Sequence, residues 1–128
     1  MFELRVSTDF AAAHHLVGYP GDCARVHGHN WVVDLFVRSR ELDSLGMAAD
    51  FRQLKLMLNE VISPWDHQDL NTLSDFSGIN PTAERVSQFI FEGIANRLKP
   101  LNPNLWVDRV TVWENNRCTA TYFGNSKK

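Results

Sequence analysis

The feature that most constrains the fold is a change of hydrophobic period along the chain, from two to about 3.6 and back to two. Residues 2–10 alternate, with Phe2, Leu4 and Val6 on one side and Glu3, Arg5 and Ser7 on the other, which reads as a half-buried strand. Residues 30–39 set Trp31, Val33, Leu35 and Val37 against Asn30, Val32, Asp34, Phe36 and Arg38, a second strand. Asp50 can cap a helix reaching about Ile62, with Phe51, Leu54, Leu58, Val61 and Ile62 at helical spacing and Pro64 beyond. Thr82, after Pro81, is placed to cap a second helix to about Leu98, with Glu84 in the first turn where the macrodipole favours a carboxylate. Its stripe is Val86, Phe89, Ile90, Ile94 and Leu98, and Pro100 and Pro103 are expected to end it. Residues 106–114 and 118–123 return to strand alternation around an Asn115-Asn116-Arg117 turn. The order β-β-α-α-β-β predicts an α+β domain spanning residues 1–128, a four-stranded antiparallel sheet with two helices on one face. Such a sheet leaves two edges open to pairing with another chain, so a homo-oligomer is expected. The polar tail Asn125-Ser126-Lys127-Lys128 is expected to fray.

Charge narrows the function. A formal net charge of -2 argues against general nucleic-acid binding, which needs a basic face, but leaves room for a small basic pocket; Arg25, Arg52 and Lys55 are candidates. The N-terminus lacks a signal-type apolar segment, and no run approaches the ~20 apolar residues of a membrane span. Cys23 and Cys118 are far apart and form no disulfide framework. A cytoplasmic protein with no membrane partner is the expectation.

Cys23-Ala24-Arg25-Val26-His27-Gly28-His29 is the sharpest segment. In extended chain His27 and His29 point to the same face, and Gly28 leaves the space between them open. Two imidazoles aimed at one point suit zinc, and a third ligand is available at His14 or His15. Surface or hydrogen-bonded histidine is the bland alternative, but four of the five histidines lie within residues 14–29. Cys23 can be read as a small buried hydrophobe, as a thiolate beside a bound cation, or as a fourth ligand that would close the site. Cys118, in an alternating strand, reads as packing. Adjacent Asp66 and His67 can form a proton relay, the carboxylate orienting the imidazole. Glu114 ends the third long strand; a solvated turn carboxylate is the default, and a receptor for a guanidine-like ring edge is the functional reading.

These residues carry a resemblance. Phe10-Ala11-Ala12-Ala13-His14-His15-Leu16, Cys23 with His27-Gly28-His29, Asp50-Phe51, Asp66-His67 with Leu70-Asn71, Pro81-Thr82-Ala83-Glu84 and Trp113-Glu114 together resemble the 6-pyruvoyl-tetrahydropterin synthase family over roughly residues 4–124. The likeness is greatest to its bacterial 6-carboxytetrahydropterin synthase branch, in which three residues also separate the cysteine from the first histidine of the pair. The resemblance implies the tunnelling fold (T-fold), with trimers or hexamers whose active sites lie between subunits. It implies His14, His27 and His29 as zinc ligands and Cys23, Asp66 and His67 as catalytic residues. Glu114 would anchor the pterin, and Thr82 and Glu84 would help line its pocket.

The implied reaction converts 7,8-dihydroneopterin triphosphate to 6-carboxy-5,6,7,8-tetrahydropterin, acetaldehyde and triphosphate, a step toward 7-deazaguanine compounds such as queuosine. Zinc would act as a Lewis acid on the side-chain hydroxyls, Cys23 would take a proton from carbon, and His67 with Asp66 would move protons on the other side. Two alternatives remain: elimination of triphosphate with all side-chain carbons kept, and a non-catalytic, zinc-stabilised pterin-binding oligomer.

Overall fold

A computed structural model describes residues 1–125. Ser126, Lys127 and Lys128 lie outside the described residues, and with them most of the tail expected to fray. Strands β1 (Phe2–His14) and β2 (His27–Ser39) pair antiparallel along their whole length, from Phe2 opposite Ser39 to His14 opposite His27. Helix α1 (Phe51–Ile62) follows, then a short strand β3 (Gln68–Asp69), helix α2 (Ala83–Leu101), and the hairpin β4 (Leu105–Asn115) and β5 (Cys118–Tyr122). The sheet order is β3-β1-β2-β4-β5. The four long strands are antiparallel as expected, but β3 adds a fifth that pairs parallel to β1 at Ala12 and Ala13, so the sheet is mixed. Two residues are too few to show a period, which is why the sequence pattern missed it.

Both helices pack on one face of the sheet. Val6, Phe10, Trp31, Val33, Leu35, Val37, Val110 and Val112 point inward from the strands and are buried. They meet Leu54, Met57, Leu58 and Ile62 of α1 and Val86, Ile90, Ile94 and Leu98 of α2. Phe51, expected in the α1 stripe, is exposed, and Met57 takes a core position instead. Burying such a side chain contributes roughly 1.5–3 kcal/mol, so this interface is the main source of stability. The caps are those expected: Asp50 accepts from Arg52 N at the start of α1, and Thr82 accepts from Arg85 N at the start of α2. Pro100 does not end α2. It costs one helical bond, and the Asn102 N–H still reaches the Leu98 carbonyl at 2.9 Å, carrying the helix to Leu101. Among the described residues no helix is long and apolar enough to cross a membrane.

The opposite face of the sheet is mixed, with Val32, Phe36, Trp106 and Trp113 among charged residues. Asp34, itself buried, accepts from Arg5 and from Trp113 Nε1 at 2.7 and 2.8 Å. Glu3 pairs with Arg38 and Arg109, and these contacts hold its carboxyl below the usual range. Cys118, expected to pack inside, is exposed at the start of edge strand β5, where it lies opposite Asn115 beyond an irregularity in the β4–β5 register.

Candidate metal centre

Strand alternation builds the site. In β1, Phe10, Ala12 and His14 share the inward face, and in β2 so do His27, His29 and Trp31. The register sets Ala12 opposite His29 and His14 opposite His27, so three imidazoles meet at the end of the β1–β2 pair. Glu114, near the end of β4, joins them. The ligand atoms of His14, His27, His29 and Glu114 all lie within 4.8 Å of one another, the one such cluster among the described residues. His15, one step out of phase, is not part of it.

The hydrogen bonds prepare these imidazoles for a cation. The Nδ1–H of His14 donates to the Pro81 carbonyl and that of His27 to the Arg25 carbonyl, each at 2.7 Å. A carbonyl can only accept, so the ring proton sits on Nδ1 and the Nε2 lone pair is left for a ligand. His14 Nε2 and His29 Nε2 are buried and make no hydrogen bond. Glu114 Oε2 nevertheless lies 3.1 Å from the first and 3.4 Å from the second. Burial pushes both imidazoles below the ordinary histidine range, which favours the neutral, ligating form. The floor is dry: Trp31 is fully buried, its ring edge-on to His14 and His29, and its Nε1–H donates to the Ala12 carbonyl. Buried orphan nitrogens, three imidazoles and one carboxylate fit a divalent ion such as zinc.

The proton-handling candidates surround this cluster without entering it. Asp66 and His67 precede β3 and are stitched to β1 by one residue, Ala11. Its N–H donates to Asp66 Oδ1 at 3.0 Å, and its carbonyl accepts from His67 N at 2.6 Å. The same Asp66 oxygen lies 3.0 Å from His67 Nδ1. The Ala11 N–H, helped by His67, holds the Asp66 carboxyl below its usual range. His67 has φ 60, a left-handed conformation uncommon outside glycine, and its side chain is 81% exposed. It shares an open depression of about 530 Å³ with Ala11, Ala13, Gly28, His29 and Asn30. Cys23 lies in a short 3-10 turn of the β1–β2 loop, exposed and outside the ligand cluster. The Thr82 hydroxyl is occupied in capping α2, and Glu84 is exposed on that helix's first turn.

Two asparagines make contacts that the sequence reading did not foresee, Asn71 having entered it only as part of the resemblance and Asn80 not at all. Asn71 accepts from His15 N and donates to the His15 carbonyl, at 2.9 and 3.0 Å. Asn80 does the same to Val17, at 2.8 and 3.1 Å. Each carboxamide replaces a missing neighbouring strand where β1 gives way to the Cys23 loop. An Asn in a Gly- and Pro-rich stretch reads as turn chemistry, so no sequence signal separates a clasp from a turn.

Known proteins were compared with this chain. The family model described as 6-pyruvoyl tetrahydropterin synthase matches residues 3–125. A protein of Archaeoglobus fulgidus, provisionally named a 6-carboxy-5,6,7,8-tetrahydropterin synthase, is 38% identical over 86% of this chain and 85% of its own length. The 6-carboxy-5,6,7,8-tetrahydropterin synthase of Bacillus subtilis is 34% identical over 78% of this chain and 70% of its own. The structure of Caenorhabditis elegans 6-pyruvoyl tetrahydropterin synthase superposes with a TM-score of 0.81 at 28% identity, covering 97% of this chain and 96% of that one.

Proposed function

This chain belongs to the 6-pyruvoyl tetrahydropterin synthase family, and from that premise we propose that it is a zinc-dependent lyase of the 6-carboxytetrahydropterin type. Its substrates are 7,8-dihydroneopterin triphosphate and one water, and its products are 6-carboxy-5,6,7,8-tetrahydropterin, acetaldehyde and triphosphate, the first serving 7-deazaguanine synthesis. The observation that carries the reading is the convergence of His14, His27 and His29 with Glu114 inside 4.8 Å, in a chain with relatives at 38% and 34% identity that carry the 6-carboxy name, the first provisionally.

Zinc held by the three histidines would lower the pKa of a substrate side-chain hydroxyl. Cys23, on the loop between the two ligand strands, takes the proton from carbon. His67 moves protons on the opposite side, with Asp66 fixing its ring through the 3.0 Å contact. Glu114 accepts the amine edge of the pterin ring and sets its orientation, while Thr82 and Glu84 help line its pocket. Copies of the chain associate through the open sheet edges, as a trimer or hexamer, in the cytoplasm.

The test is product analysis after incubation with 7,8-dihydroneopterin triphosphate, with and without a chelator. Acetaldehyde and triphosphate in equal amounts, both abolished by the chelator, are expected. The likeness to the nematode 6-pyruvoyl enzyme supports a second reading, elimination of triphosphate alone. Triphosphate without acetaldehyde would establish it, and full activity in metal-free protein would overturn both.

A further inference from the structure

A ring anchor needs a carboxylate turned toward a ligand, yet Glu114 turns toward two imidazoles. Its Oε2 lies 3.1 Å from His14 Nε2 and 3.4 Å from His29 Nε2. The Pro81 carbonyl fixes the His14 proton on Nδ1, so the nitrogen facing Glu114 presents a lone pair to an oxygen that also presents lone pairs. Two acceptors this close above the buried Trp31 repel unless a proton or a metal ion lies between them. The backbone supports this aim. The β4–β5 register shifts between Trp113 and Asn115, with Glu114 at the irregularity, and bulges beside active sites serve to re-aim a side chain. Three imidazoles and one carboxylate would give a bound zinc four protein ligands and leave no position open.

We propose that Glu114 is an exchangeable fourth ligand. It closes the metal's coordination shell while no pterin is bound, and leaves the metal for the ring when substrate oxygens arrive. The inference rests on the zinc and pterin reading above and adds a coupling to it. When both Glu114 oxygens accept the ring's amine edge, neither is left for the metal, so seating the ring is what opens the metal. A ligand without the ring's amine edge, such as free triphosphate, gains no access.

Two measurements test this, both read without turnover. Metal-free protein is titrated with zinc against a chromophoric chelator, and cobalt-loaded protein is followed by visible absorption. Glu114→Gln keeps the shape and removes the charge; zinc affinity should fall on the order of 10–100-fold, and the cobalt bands should shift to those of an open site. In unmodified protein, 7,8-dihydroneopterin should shift the cobalt bands in the same direction, whereas triphosphate alone should not. Unchanged zinc affinity and unchanged cobalt bands in Glu114→Gln would overturn the proposal. Were pterin binding lost in that same variant, the anchoring role and the proposed function would stand without the exchange. Absence of metal binding by the unmodified chain would overturn both.

Discussion

At His14 the surroundings of both ring nitrogens are set by other elements. Pro81, just before α2, takes the Nδ1 proton, while Nε2 faces Glu114 on β4. The proposed function gives His14 to the metal and Cys23 to proton transfer, and the two roles can be separated. Cys23 is exposed and contributes nothing to the cluster, so Cys23→Ala should keep its metal, measured by elemental analysis, while product formation falls by roughly 10²–10⁴-fold, the usual worth of a positioned base. Loss of zinc with the thiol would mean instead that the sulfur closes a structural site. At this scale His27 and His29 were legible from strand alternation, whereas alternation left His14 and His15 open and only the family resemblance chose His14, the residue the structure brings into the cluster. Glu114 was legible as a site residue but its direction was not, since it depends on a register irregularity that no spacing rule announces.

Elements hold these residues through main-chain contacts that a sequence does not display. The stretch from Asn80 to Thr82 is an example. The Asn80 side chain clasps Val17, the Pro81 carbonyl takes the His14 proton, and Thr82 caps α2. Only the cap was readable, because capping leaves a residue-type signature and a carbonyl acceptor does not. The strand ends show the same limit: β1 runs on through Ala11, Ala12 and Ala13, whose small side chains carry no alternation of polarity. The two clasps can be tested by a change of one atom in each. Asn71→Asp and Asn80→Asp still accept from the backbone N–H but cannot donate to the carbonyl, which then faces a carboxylate. Each should cost about 1–3 kcal/mol of stability, read as a lower unfolding midpoint, with weaker zinc binding because His14 sits one to three residues from the clasped positions. Unfolding and metal affinity equal to those of the unmodified protein would show that the clasps hold nothing in place.

In the whole molecule, the chemistry proposed for one site is spread over surfaces that one chain leaves open. His67 stands 81% exposed in a depression it shares with His29, while Cys23 is exposed on a separate loop and is not part of that depression's lining. A base and an acid working on one substrate need a site that excludes bulk water, because water weakens the electrostatic effects on which the transition state depends. The sheet supplies a means of closure. The outer edge of β5 and the stretch of β1 that β3 leaves uncovered both offer unpaired backbone, and Phe2, Met47 and Phe51 line an apolar groove of about 490 Å³ near the start of β1. If a second copy closes each site, Cys23 and the Asp66-His67 pair come from different chains, and two inactive variants can repair each other. Cys23→Ala and His67→Ala chains, each inactive alone, would be unfolded, mixed in equal amounts and refolded together. With sites shared between neighbouring copies, about one quarter should pair an intact Cys23 with an intact His67, so activity should return to about one quarter of that of the unmodified protein. Sites contained within single chains would regain none, since every chain in the mixture lacks one of the two groups. The readout therefore separates a shared site from a self-contained one even when both arrangements sediment as the same oligomer.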